Sequence, residues 1–125
     1  MTEREMNELK ATLPQYDHGY RPPLTQEQEV LDKELTIRRM MLSCLAYGDD
    51  YFRMTKQSWY VDNRGPEGFD WDELKTLGVK YAYQRVQQIW AEMKRDFKKH
   101  ATINRGVYTD YEGVSYNSVV WDDEE

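Results

Sequence analysis

Residues that commonly perform catalysis are few in this sequence, and none of them forms a recognisable motif. The two histidines are His18, in a stretch rich in Gly and Pro, and His100, which follows two lysines. The single cysteine, Cys44, stands in an apolar helical pattern, where a thiol is usually a small core residue. Zinc-binding HExxH, nucleophilic GxSxG and phosphate-binding GxxxxGK(S/T) sequences do not occur. We therefore expect a protein that is not an enzyme and has no catalytic residue.

Acidic clusters are the remaining candidates for a metal site. Residues 62–73 have the length of an EF-hand calcium loop, but Arg64 and Pro66 stand where oxygen ligands are needed. The sixth position of this segment holds Glu67 instead of the required Gly. Helix capping and solvation explain two shorter groups, Asp49–Asp50 and Asp70–Asp72. We expect neither a metal ion nor a cofactor.

Charge is distributed unevenly along the 125 residues, whose formal net charge is −6. Residues 1–73 hold nine basic and fifteen acidic side chains. Residues 74–106 hold eight basic and two acidic side chains, and residues 107–125 hold no basic and six acidic side chains. A basic segment between two acidic ones indicates electrostatic contact. The contact is either with a partner or among the segments themselves.

The composition is typical of one folded domain outside the membrane. Hydrophobic residues make up 39% and aromatic residues 14% of the chain, which is enough to build a core. No apolar run approaches about 18 residues, and the opening MTEREMNELK has no apolar signal region. A lone cysteine fits a reducing compartment. We expect a cytoplasmic protein, in the host cytoplasm if a phage encodes it, without membrane contact.

Two helix starts are visible in the first half of the chain. Thr2 and Glu5 have the spacing of a capping box, and Thr25 and Gln28 have the same spacing. They predict a short helix, an extended Gly- and Pro-rich linker to about residue 24, and a central helix over about 26–47. A further short helix is predicted over residues 51–59.

The stretch from Phe69 to His100 shows the strongest helical pattern. Asp70 and Glu73 form a third capping box, and a short helix is predicted over 71–77, before Gly78. Apolar residues then recur in steps of three and four and fall within about 100° of arc, which predicts a core-facing stripe. The stripe consists of Val79, Ala82, Val86, Ile89, Trp90, Met93 and Phe97.

Beyond His100 the pattern changes to β-branched and aromatic residues around a turn at 110–113. A β-hairpin is predicted, with strands near 106–110 and 114–120. The expected fold class is therefore mainly α (α+β), a small helical domain of three to four helices with a C-terminal β-hairpin. Its parts are an N-terminal helix and linker (1–24), a helical core (25–100), the hairpin (101–121) and an acidic tail (122–125).

The hairpin and tail combine acidic and aromatic residues in a way that favours binding to a protein. Tyr and Trp are common anchors of interfaces, and neighbouring carboxylates can compete with phosphates for a basic channel. Phage anti-CRISPR proteins, as a class of small acidic inhibitors, act in this way. We expect a regulator or inhibitor of a nucleic-acid-binding enzyme or complex. Its predicted contact residues are Tyr108, Asp110, Tyr111, Glu112, Tyr116, Trp121, Asp122 and Asp123. An ordinary hairpin with a solubilising tail is the alternative.

A second hypothesis assigns DNA binding to the basic stretch. Two helices joined at Gly78 match the helix-turn-helix plan, and Gln, Lys and Arg are suited to base edges and phosphates. Residues 85–97 resemble the recognition-helix end of a sigma-type helix-turn-helix, although Gln84 stands where that family has an apolar residue. The resemblance implies a transcriptional regulator that uses residues 71–99. The predicted DNA contacts are Lys80, Gln84, Gln87, Arg95 and Lys98.

The sign of the net charge decides between these hypotheses. A negative field opposes the approach of DNA at long range, so the protein-binding hypothesis is favoured. The basic helix face is then a solvated surface that balances its acidic neighbours. A third hypothesis is a structural assembly subunit, which forms a homo-oligomer.

Overall fold

Three helices and five strands make up the part of the chain that the structure describes. The computed structural model describes residues 1–46, 52–54, 58–61, 68–70, 76, 78, 79, 82–113 and 115–122. The elements are α1 (Glu3–Ala11), α2 (Gln26–Ala46), β1 (Phe52–Met54), β2 (Ser58–Val61), β3 (Gly68–Asp70), α3 (Ala82–His100), β4 (Ala101–Thr109) and β5 (Ser115–Trp121). The predicted mainly helical α+β class with a C-terminal hairpin is confirmed.

Helix α2 begins at the predicted capping box. The backbone N–H of Gln28 donates to Thr25 Oγ1 at 3.2 Å, and the backbone N–H of Thr25 donates to Gln28 Oε1 at 2.9 Å. Two N–H groups that the helix itself leaves unbonded are thereby satisfied. Glu27 and Glu29 follow in the first turn, where the helix dipole favours negative charge.

Helix α3 buries the predicted apolar stripe. Five of its residues are buried, namely Ala82, Val86, Ile89, Trp90 and Met93, and Val79 and Phe97 pack against the same core. Gly78 lies in a turn with φ +89°, so no continuous helix passes through it. A Cβ atom at this position would approach Gln26 Nε2 to 2.7 Å, which places Gly78 close to the start of α2.

Helices α2 and α3 run in the same direction. Glu34 on α2 accepts two hydrogen bonds from the Arg85 guanidinium on α3, at 2.7 and 3.0 Å. One turn further along α2, Arg38 pairs with Glu92, which is two turns beyond Arg85. Both pairs advance along the two helices together, and buried residues of both helices belong to one core cluster.

Among the buried residues that the structure describes, Arg38 is the one with a charged side chain. It is only 5% exposed, and its guanidinium contacts both the Glu92 carboxylate and Met93 Sδ, the latter at 3.6 Å. A buried charge is costly unless it is paired and hydrogen-bonded. The Arg38–Glu92 pair therefore specifies one alignment of α2 with α3.

Helix α1 docks on this helix pair in the opposite direction. Thr2 Oγ1 accepts from the Glu5 backbone N–H at 3.2 Å, which confirms the predicted N-cap. Met6 is fully buried in the core cluster. The Met1 amino group pairs with Asp96 near the end of α3, and the Arg39 side chain donates to Asn7.

The helix predicted over residues 51–59 is wrong. Strands β1, β2 and β3 form an antiparallel sheet, in which Trp59 lies opposite Met54 on one side and Phe69 on the other. Aromatic and β-branched residues concentrate here, and they favour extended backbone once a neighbouring strand is available. The helix predicted over 71–77 lies outside the described residues except for Thr76, which is helical.

We predict that Glu92→Ala lowers the free energy of unfolding by about 3 kcal/mol, because it leaves the Arg38 charge buried without a partner. Urea denaturation followed by Trp fluorescence measures the loss. Replacing Arg38 by Met in the Glu92→Ala background should recover most of it. The control is Glu8→Ala, which removes the exposed Arg4–Glu8 pair and should cost less than about 0.5 kcal/mol. Equal losses for both single variants would contradict the prediction.

Candidate binding surface on the C-terminal hairpin

The base of the hairpin is part of the protein core. Trp121, at the end of β5, is 2% exposed and packs edge-on against Phe97 of α3, with ring centroids 5.9 Å apart and an interplanar angle of 88°. Its indole Nε1 is buried and has no hydrogen-bond partner among the residues that the structure describes. Trp121 was predicted to contact a partner, but its side chain lies in the interior and anchors the hairpin.

Polar contacts close the hairpin base against α3. The backbone N–H of Asp122 donates to the His100 carbonyl at 3.0 Å, and the Asp122 carboxylate lies 3.1 Å from His100 Nδ1. Asp122 is thus engaged at the helix–strand junction. Asp122 therefore lies at one end of the hairpin, and the turn that holds the predicted contact residues Asp110 and Glu112 lies at the other end.

Asn117 connects the middle of the hairpin to α2. Its Nδ2 donates to the Ala46 carbonyl at 2.9 Å, and its Oδ1 accepts from the Gly106 backbone N–H at 3.4 Å. Between Asn104 and Tyr108 the strand pairing shifts, because β4 contains two more residues than the facing part of β5. Gly106 has φ +65°, which a glycine adopts readily in such a bulge.

Burial changes at this bulge. Before it, Ala101 and Ile103 are half-buried while Thr102 is exposed, as expected for a strand with one face on the core. From Asn104 to Thr109 every residue of β4 is exposed, so neither face of this part is covered by the core. The outer half of the hairpin therefore projects from the helices.

We call residues 107–112 the hairpin tip. Val107 and Tyr108 are each 62% exposed, and Tyr111 is 96% exposed. The Asp110 carboxylate accepts from the Glu112 backbone N–H at 2.9 Å, and the Asp110 carbonyl accepts from the Gly113 N–H at 3.0 Å. These bonds hold the turn, and the Glu112 side chain is exposed beside it.

The structure thus divides the predicted contact residues. Four of them lie together at the hairpin tip: Tyr108, Asp110, Tyr111 and Glu112. Trp121 and Asp122 lie at the base, where they hold the hairpin on α3. The backbone of Tyr116 pairs with that of Tyr108, but the Tyr116 side chain and Asp123 lie outside what the structure describes.

The predicted DNA contacts occupy the solvent side of α3. We call the exposed residues Gln84, Gln87, Gln88, Ala91, Arg95 and Lys98 the α3 basic face. Lys80, also predicted to contact DNA, lies outside the described residues. Lys94 is exposed nearby, and its ammonium lies 5.2 Å from the centre of the Trp90 ring.

Two ionised groups beside this face have shifted pKa values. Burial acts to raise the pKa of Asp96, but the Met1 amino group and Arg95 outweigh it and lower that pKa below its usual value. The hydrogen bonds to Glu34 raise the pKa of Arg85 against the opposing effect of burial. Asp96 is therefore ionised near neutral pH and partly offsets the positive charge of the α3 basic face.

A groove lies between the linker and α2, at a surface that local sequence patterns do not predict. Tyr16 and Tyr20 stand on either side of His18–Gly19, and the linker then lies along the first turns of α2. The signal for it in the sequence is the segment Tyr16–Tyr20, in which two tyrosines lie close to the turn-forming pair His18–Gly19. The local pattern predicts only an extended linker, because nothing in it shows that the segment folds back on α2.

Groups suited to catalysis or metal binding do not converge in the described part of the chain. No cluster of three or more His, Cys, Asp or Glu residues there is arranged to hold a metal ion. Cys44 is buried in the core, and His18 is exposed in the linker beside Asp17. No helix among the described residues has the length and apolar character needed to cross a membrane.

Comparison with known proteins adds no relative. No protein-family model, curated protein or solved structure matches the chain.

We predict that substitutions at the two ends of the hairpin change stability by very different amounts. Trp121→Ala removes a core side chain and should lower the free energy of unfolding by about 3–5 kcal/mol. Tyr111→Ala removes an exposed side chain and should change it by less than about 0.5 kcal/mol. Urea titration followed by far-UV circular dichroism measures both. A large loss for Tyr111→Ala would show that the hairpin tip packs on the rest of the protein.

Proposed function

We propose that the protein is a non-enzymatic binding protein that regulates or inhibits a nucleic-acid-handling protein, and that it binds its partner with the hairpin tip. The observation that carries this proposal is the exposure of large side chains on a strand that leaves the core. Val107, Tyr108 and Tyr111 are all more than half exposed within six residues. In water these side chains contribute little to folding, whereas in an interface an aromatic ring can bury about 150–250 Å².

The anchoring of the hairpin base supports the same proposal. Trp121, Asn117 and the His100–Asp122 contact attach the hairpin to both long helices. A fixed base holds the tip in one position, so less conformational entropy is lost when a partner binds. Tyrosine suits this role because it offers a large contact area with few rotatable bonds.

Charge at the hairpin tip favours a basic partner. Glu112 is exposed next to the two tyrosines, and the Asp110 carboxylate accepts a backbone hydrogen bond in the turn. The net charge of −6 would accelerate encounter with a positively charged surface. Nucleic-acid-handling proteins carry such surfaces along their phosphate-binding channels, where carboxylates can take the place of phosphates.

We predict that Tyr108→Ser combined with Tyr111→Ser abolishes partner recovery without unfolding the protein. Each tyrosine at the centre of an interface is expected to contribute roughly 2 kcal/mol, so the double variant should bind about a thousandfold more weakly. The measurement is affinity capture from nuclease-treated lysate, followed by titration of the recovered partner. Added duplex DNA should displace that partner if the hairpin tip occupies its nucleic-acid channel.

The matched control for this experiment is Tyr83→Ser with Val120→Ser. These two side chains are also exposed, 39% and 47%, but they lie on α3 and near the base of the hairpin, outside both the hairpin tip and the linker. Point substitutions are preferred to deletion of residues 107–125, because that deletion also removes the core residue Trp121. If both double variants recover the same partner equally, the hairpin tip is not the binding surface.

DNA binding by the α3 basic face is the second candidate function. The observation in its favour is that Gln84, Gln87, Arg95 and Lys98 are all exposed along one side of a single helix. Within the described residues, Lys98 forms no ion pair and is therefore available to a phosphate. Asp96 and the net negative charge of the chain act against this function.

If the α3 basic face binds DNA, retardation of duplex DNA should weaken steeply with salt, and Arg95→Ala with Lys98→Ala should reduce the logarithmic salt slope by about 2. The control variant is Arg4→Ala with Lys10→Ala, which removes two exposed cations from α1 and should leave the slope unchanged. Electrophoretic mobility shift over a salt series is the measurement. Absence of retardation at the lowest salt concentration would end this hypothesis.

A further inference from the structure

The groove beside the linker is a second surface with its own chemistry. It has a volume of about 720 Å³ and lies between the linker and the first turns of α2. Its apolar lining comes from Tyr16, Tyr20, Pro22, Pro23 and Leu24. Because both tyrosines remain more than 60% exposed, the groove is open along the surface. An open groove accommodates an extended chain better than a small molecule, which needs enclosure.

The linker wall of the groove is held in shape by backbone hydrogen bonds. The N–H of Asp17 donates to the Tyr20 carbonyl at 2.6 Å, and the N–H of Tyr20 donates to the Asp17 carbonyl at 2.9 Å. His18 and Gly19 between them have φ values of 51° and 81°, the signs of a type I′ turn. The two tyrosines that flank this turn are therefore held in place before any ligand arrives.

Arg21 attaches this wall to α2. Its guanidinium lies 4.9 Å from the centre of the Tyr16 ring and 3.6 Å from the Asp32 carboxylate. The contact joins the linker to the second turn of the helix through a cation–π interaction and an ion pair. Because Arg21 and Asp32 neutralise each other, the charge that a ligand should carry depends on the other charged side chains of the groove.

The charged side chains that line the groove, among the described residues, are Arg21, Glu29, Asp32 and Lys33. Lys33 is already engaged by another group. Glu29 is exposed on the groove wall and, among the described residues, forms no ion pair. A ligand that fits this groove should therefore present a cation to Glu29 and apolar groups to the tyrosines and prolines.

We propose that the groove binds an extended, proline-containing segment of a partner protein that carries one Arg or Lys. Tyrosine and proline side chains form the grooves that recognise polyproline II segments, because flat rings stack on pyrrolidine rings and the ligand is already extended. The Arg or Lys of the segment pairs with Glu29 and sets its direction. This site is separate from the hairpin tip and does not depend on the function proposed for the tip.

The proposal is tested with the full chain and a synthetic peptide, Arg-Ala-Pro-Leu-Pro-Pro-Leu-Pro, titrated by ¹⁵N–¹H NMR. Amide shifts should concentrate at the linker and the first turns of α2, with a dissociation constant below about 1 mM. Glu29→Gln should weaken binding about threefold to fivefold, and Tyr20→Ala about tenfold. Glu27→Gln, the same change in the same helical turn but outside this groove, should have no effect.

Three results would overturn the proposal. They are no amide shifts at millimolar peptide, equal affinity for a peptide with Glu in place of Arg, or shifts with single-stranded oligothymidylate in place of the peptide. The variant Tyr108→Ser with Tyr111→Ser should bind the peptide as the unchanged protein does. That comparison separates failure of this proposal from failure of the function assigned to the hairpin tip.

Discussion

The parallel pairing of α2 with α3 is the constraint on which the rest of the structure depends. Burial of the α3 stripe supplies the apolar contact, but apolar contact alone permits more than one alignment of two helices. The Arg38–Glu92 pair selects one alignment because a buried guanidinium cannot be left without its carboxylate. The bidentate Glu34–Arg85 pair, nearer the start of both helices, repeats this selection.

The position of the hairpin follows from that pairing. Strand β4 begins at the residue after α3 ends, so the direction of α3 determines where the hairpin starts. Trp121 and Asn117 then fasten the returning strand to the ends of α3 and α2, respectively. Because Trp121 attaches the hairpin to α3 and Asn117 attaches it to α2, its two strands can extend beyond the core without support from a third strand. Its outer half is thereby available to a partner.

Some of the charges in the acidic and basic segments of the chain pair with one another within the fold, and others remain at the surface. Part of the basic excess of residues 74–106 is used inside the fold, since Arg85 pairs with Glu34 of the acidic first segment. Asp122 of the acidic last segment contacts His100 at the hairpin base. Among the charges that remain at the surface are Arg95 and Lys98 on the α3 basic face, Glu112 at the hairpin tip and Glu29 in the groove. They are separate sites of different sign, and each suits a different ligand.

The sequence by itself determined those structural features that arise from interactions between residues close together in the chain. The N-cap at Thr2, the capping box at Thr25, the α3 stripe and the C-terminal hairpin follow from local spacing, because capping and amphipathic periodicity act within a few residues. Only the tertiary structure decided what each aromatic residue does. Residues 52–54 and 58–61 are strands because they pair with each other and with 68–70, and Trp121 is a core residue because α3 lies beside it. Four of the eight predicted contact residues lie at the hairpin tip, and the sequence could not separate them from Trp121, since burial depends on packing between distant segments that local patterns do not contain.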